Sequence, residues 1–113
     1  MADWIKAANL DVIPVAGSVV LKLGESRIAV VRNRDNRVFA VNNECPHKGG
    51  ALSEGIVHSN FVTCPLHNWV INLEDGQVEG PDEGQVACYE TKVDNGMVYI
   101  LPKKTRHMAS DQN

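Results

Sequence analysis

The stretch CPHKGGALSEGIVHSNFVTCPLHNW, residues 45–69, holds two of the chain's three cysteines and three of its four histidines. It reads Cys45-x-His47, then sixteen residues, then Cys64-x-x-His67. Any one of these side chains alone reads as a surface histidine or an ordinary buried thiol. Four of them in this spacing point to a shared role. Each pair falls between segments of strand character, Val38–Val41 before the first and Phe61–Thr63 before the second. Loops between strands are where a rigid sheet presents ligands. Pro46 and Pro65 each follow a cysteine. They restrict the backbone and donate no N–H, so they stiffen both loops. Gly49, Gly50 and Gly55 allow tight turns or close approach of backbone to a bound group.

Working outward, the pattern is β nearly throughout. Val19-Val20-Leu21 precedes a Gly24-Glu25-Ser26 turn, and the apolar run of Arg27–Arg32 follows. Asn33–Asn36 is turn material ahead of Val38–Val41. Beyond the motif, Val70–Leu73 leads into Glu74-Asp75-Gly76-Gln77, where Asp-Gly predicts a two-residue hairpin turn. Val86–Val93 is a further strand, and Asn95-Gly96 turns it into Met97–Leu101. Gly50–Ser53 admits a short helical turn. Pro102-Lys103-Lys104 is expected to end the last strand, with residues 106–113 as a flexible tail. Short strands with turns every eight to twelve residues predict an all-β sandwich or barrel. We expect one domain over residues 1–105.

With 43% hydrophobic and 22% charged residues, the chain is globular rather than disordered. No apolar run approaches the roughly 18–20 residues of a membrane span. The start MADWIKAANL lacks the basic-then-apolar pattern of a signal peptide, so a cytoplasmic site is the expectation. An odd cysteine count speaks against a disulfide framework and for metal binding or reduced thiols. Charge is uneven: residues 51–100 carry Lys92 as their only basic side chain against eight Asp/Glu. Nucleic acid is therefore not an expected partner. A solvated acidic surface is the plain reading, and a docking face for a basic patch on a protein partner the sharper one.

Zinc accepts two Cys and two His in a tetrahedral site, but structural zinc knuckles usually place two cysteines together. Here each loop offers one Cys and one His. That mixture suits a bridged two-iron cluster with two thiolates on one iron and two imidazoles on the other. The Cys-x-His…Cys-x-x-His arrangement resembles the Rieske [2Fe–2S] signature. The wider context, CPHKGGALSEGIV and CPLHNWVINLEDGQV with the YETKVDNGMVYI ending, is similar to the small subunit of assimilatory NAD(P)H-dependent nitrite reductase. The resemblance spans about residues 4–101 and is most specific over 45–80.

The resemblance implies a Rieske-like fold, an antiparallel base with a cluster-binding subdomain at about 43–80 inserted between two of its strands, with Cys45 and Cys64 on the inner iron and His47 and His67 on the outer, electron-accepting iron. It implies electron transfer with no catalytic site on this chain. The partner would be a large subunit carrying flavin, sirohaem and a [4Fe–4S] cluster, on which nitrite becomes ammonia. High-potential members of the family carry an extra cysteine in each loop, where this chain has Gly50 and Leu66. They also carry a serine that bonds a cluster sulfur, where this chain has Trp69. Fewer donors to sulfur imply a low potential, toward the ~−150 mV end of the range. Two alternatives stay open: a Rieske ferredoxin serving an aromatic-ring dioxygenase and its reductase, and a zinc-bound or metal-free interaction module. Cys88 reads as a buried thiol outside the loops, His58 as exposed, and Trp4 as packing on the barrel. No nucleotide-binding glycine fingerprint or Ser/His/Asp set is present.

Overall fold

The computed structural model describes residues 4–44, 51–65, 68–79 and 84–105, the last four as backbone. Among the described residues, nine strands form two antiparallel sheets. The larger has the order β1-β9-β8-β4-β3-β2. Its strands are β1 (Ile5–Asn9), β2 (Gly17–Leu23), β3 (Ser26–Arg32), β4 (Val38–Asn42), β8 (Cys88–Asp94) and β9 (Met97–Thr105). The smaller is a meander, β5 (Ile56–His58), β6 (Phe61–Thr63) and β7 (Val70–Asn72), placed in the chain between β4 and β8.

The unbroken apolar run Ile28-Ala29-Val30-Val31 has a direct cause: β3 is buried on both faces, as continuous apolar strands require. Ile28 and Val30 join Ala40, Tyr89, Val98 and Ile100 on one side. Ala29 and Val31 join Phe39, Val41 and the inner face of the small sheet (Val57, Val62, Ile71) on the other. The base sheet thus lies between two cores, and the second glues the small sheet onto it. Leu52, in the 3-10 turn Leu52–Glu54, is buried in that second core.

Turn chemistry separates the two expected hairpins. Asn95 and Gly96 both have positive φ (53° and 76°), as a two-residue turn between Asp94 and Met97 demands. At Asp75-Gly76 only Gly76 is left-handed, with φ 77°. Its N–H donates to the Asn72 carbonyl (2.7 Å), and Asn72 N–H donates to the Gln77 carbonyl (2.9 Å). The connection is therefore four residues, Leu73 to Gly76, rather than two. Pro102 does not end β9, which continues to Thr105. The β8–β9 register shifts between Tyr89 and Thr91, so three residues of β9 (101–103) oppose one of β8 (Glu90). A bulge is where a strand tolerates a residue that cannot donate. The residue range 106–113, expected as a tail, lies outside the described residues.

Candidate functional site

Cys64 is the one sequence-derived ligand among the described residues; Cys45, His47 and His67 lie outside them, as do Gly49, Gly50 and Leu66. Cys64 directly follows β6 and keeps its alternation. Phe61 and Thr63 face outward, while Val62 and Cys64 point into the core, both at 0% exposure. The Cys64 N–H donates to the Trp69 carbonyl at 2.7 Å and closes the base of the six-residue connection to β7, next to the Thr63–Val70 pair. Asn68 turns that connection with φ 55°, a conformation Asn tolerates better than most residues. Trp69 packs half-buried against the core that holds Cys64.

Gly55 fixes this corner from the other side. A Cβ there would lie 2.3 Å from the Thr63 carbonyl oxygen and 2.9 Å from Val62 Cγ2. The expected close approach at Gly55 is thus to the β6 backbone one residue before Cys64.

The segment that carries Cys45 and His47 is flanked by anchored residues. Asn42 N–H donates to the Ala87 carbonyl and Asn43 N–H to the Arg27 carbonyl, both at 2.8 Å. On the far flank, Ser53 N–H donates to Asn43 Oδ1 (2.7 Å), and the Ser18 hydroxyl donates to the Ser53 carbonyl (2.8 Å). Sequence reading missed Asn43, Ser18 and Ser53, whose only signal was polar residues at strand ends. It also missed Asn33, a buried polar residue. Its Oδ1 accepts the Asp35 and Arg37 N–H groups (both 2.9 Å), and its Nδ2 donates to the Ser59 carbonyl (3.1 Å) at the β5–β6 turn. Asn60, beside it, is bonded by Arg37 (3.3 Å) and donates to Glu74 (3.2 Å), which pairs with Arg37 at 3.0 Å. This network ties the small sheet to the base.

The other singled-out residues fall where expected. Cys88 is buried, and burial first, then the nearby Asp75 carboxylate, pushes its thiol up to about 11. Such a thiol is unreactive at neutral pH, and it lies outside both ligand loops. Its Sγ sits against Gly76, 2.9 Å from where a Cβ would stand. His58 is exposed, stacks on Phe61 with centroids 5.9 Å apart, and shares a 2.7 Å hydrogen bond with the Thr63 hydroxyl. Trp4 packs on the base sheet, with the Lys92 ammonium 4.8 Å above its ring.

The Cys64 environment fits a buried thiolate bound to iron. Desolvation disfavours an unpaired thiolate, whereas a metal ion holds the thiol deprotonated outright. A water-excluded cysteine next to exposed loop residues (Pro65, Asn68) matches a cluster with its cysteine side inward.

Residues 3–101 match the model of a Rieske-like [2Fe–2S] domain. The anthranilate 1,2-dioxygenase ferredoxin subunit of Burkholderia cepacia is 30% identical over 101 residues, covering 88% of this chain and 93% of that one. The ferredoxin of carbazole 1,9a-dioxygenase from Nocardioides aromaticivorans superimposes with a TM-score of 0.81 at 26% identity, over 90% of this chain and 100% of that one. A structure assigned as an NADH-dependent nitrite reductase small subunit from Mycobacterium tuberculosis gives the same TM-score and identity, over 93% and 99% of the two chains. Other relatives are far longer: the chain spans 11% of the nitrite reductase [NAD(P)H] large subunit of Klebsiella oxytoca. The fold, the buried Cys64 corner and these likenesses agree. The chain belongs to the Rieske-like [2Fe–2S] domain family, and a Rieske [2Fe–2S] cluster is its cofactor.

Proposed function

We propose that this Rieske-type electron-transfer chain works at low potential as the small subunit of a cytoplasmic NAD(P)H-dependent nitrite reductase. Cys45 and Cys64 hold the inner iron, and His47 and His67 the outer one. When bound, the cluster supplies a one-electron ferric/ferrous couple. The protein's part is positional. The inward-facing Cys64 keeps water from its sulfur, the Cys64–Trp69 hydrogen bond sets the loop base, and the Asn43–Ser53 contact joins the flanks of the first pair. Trp69 stands where a sulfur-bonding serine would raise the potential.

The observation that carries the reading is the four-residue ligand pattern in its CPHKGG and CPLHNW context, supported by near-complete mutual coverage with the Mycobacterium tuberculosis structure. A second reading, a ferredoxin for a ring-hydroxylating dioxygenase, is supported by the Burkholderia cepacia ferredoxin subunit. Both make the chain an electron donor or relay for a larger redox enzyme. To separate them, the reduced protein is mixed anaerobically with the purified sirohaem reductase, or with the terminal oxygenase, from the same genome. Nitrite consumption that depends on this chain supports the first reading. Oxidation by the oxygenase alone refutes it and supports the second.

A further inference from the structure

The small sheet buries one face and leaves the other open. Inward positions Val57, Val62 and Ile71 are core residues. The opposite positions on such a sheet are normally polar. Here three of the six are apolar: Ile56 on β5, Phe61 on β6 and Val70 on β7, beside His58, Thr63 and Asn72. Ile56 is 70% exposed. His58, Phe61, Val70 and Glu79 line a shallow depression of ≈ 460 Å³ on this side.

The segment that carries it is acidic. Residues 49–91 contain no Lys or Arg. Of the carboxylates on the small-sheet segment, Glu74 is paired with Arg37, while Glu54 and Glu79 are exposed. The face is thus an apolar centre with Glu79 at its edge, on a segment without basic side chains. It is also continuous with the Cys64 corner: the Thr63 hydroxyl, held by His58, faces outward one residue before Cys64 points inward.

We infer that the outer face of β5–β6–β7 is a docking surface for a redox partner that presents an apolar projection ringed by Lys and Arg. The acidic segment with Glu79 at the edge of the face steers such a partner, and the Ile56–Phe61–Val70 centre supplies the desolvated contact. This rests on the electron-carrier reading, which brings a partner's redox centre close to the cluster that Cys64 helps to hold.

The test uses horse-heart cytochrome c, a basic protein with an exposed haem edge, as the probe. Zero-length carbodiimide coupling at low ionic strength is read by peptide mass spectrometry, and affinity is measured in parallel. Cross-links from cytochrome c lysines to Glu79 are expected, with little coupling to Glu90 or Asp94 on β8. The double variant I56K/E79K should weaken binding about tenfold or more, and the control E90K about threefold or less. Cross-links concentrated on β8, no cross-links, or equal loss in both variants would overturn the proposal. So would sedimentation showing a dimer that I56K/E79K dissolves, because the face would then belong to a second copy. None of these readouts needs a working cluster; failure of the carrier reading shows separately, as an absent Rieske signal.

Discussion

Replacing Gly55 by Ala adds one methyl group at the point where β5 meets the residue before Cys64. Gly55 has φ −80°, which any residue adopts, so the backbone itself is not strained. The cost is contact. The new Cβ would stand 2.3 Å from the Thr63 carbonyl oxygen, and real Cβ atoms essentially never come closer than 3.0 Å. The strands must part by at least about 0.7 Å, and the obstacle is backbone that cannot rotate away. Overpacking of this kind costs about 1–3 kcal/mol, offset by roughly 0.4–1 kcal/mol from the stiffer unfolded chain. A net loss of about 1–2 kcal/mol lowers the melting temperature by roughly 4–10 °C in a domain of this size. Thr63 is bonded directly to Cys64, so the same displacement reaches the sulfur, and iron content should fall as well. The assay is thermal unfolding with iron per chain measured on the same samples. Gly24→Ala is the control: Gly24 has φ 60° and nothing within 4 Å of its Cβ position. That variant should lose about 1 kcal/mol from turn strain and keep its iron. Wild-type melting and wild-type iron in Gly55→Ala would refute the reasoning.

Three more outcomes follow from the same contacts. Asn33→Ala leaves two N–H groups and the Ser59 carbonyl without their partner and should cost about 2–3 kcal/mol; Asn33→Asp keeps the acceptor but sets a carboxylate oxygen against that carbonyl, and should be no milder in a denaturant titration. By contrast, Arg37→Ala removes a half-exposed ion pair and should cost under about 1 kcal/mol by the same titration. Cys88 gives a pH dependence. Its folded pKa of about 11 stands above the ordinary 9.0, so the folded state holds the proton longer than the unfolded chain. The stabilisation is complete below pH 9 and is lost as pH rises from 9 to 11. Melting temperatures should therefore fall across that window, and less steeply in Cys88→Ala; identical slopes would contradict it. Tyr89, whose pKa burial also raises, adds a smaller alkaline loss that both proteins share.

What the sequence made legible was local or doubly constrained. The β3 run is a strand by its β-branched residues and flanking turns, and Asn95-Gly96 carries its turn geometry in its own residue types. The two Cys/His pairs stand out because ligand chemistry restricts residue type and spacing together, and of the four only Cys64 lies among the described residues. Long-range dependence hid the rest. β1, IKAAN, has no alternation worth reading and is a strand because β9 pairs with it. β5 is three residues long and leaves the apolar Ile56 70% exposed, which reads as loop. Asn33 and Asn43 look like turn residues, and their partners lie 26 and 10 positions away. Asp75-Gly76 misled because the Asn72–Gln77 hydrogen bond widened the turn beyond what the dipeptide specifies.

The central claim is that Cys45, Cys64, His47 and His67 hold one low-potential [2Fe–2S] cluster. An EPR-monitored redox titration of anaerobically purified protein, with iron, sulfide and zinc assayed on the same sample, tests it most directly. The account predicts two iron and two sulfide per chain and a Rieske-type signal with a midpoint near ~−150 mV, lost in Cys64→Ala. A midpoint well above about +100 mV would contradict the low-potential assignment. One zinc per chain and no signal would contradict the cluster itself.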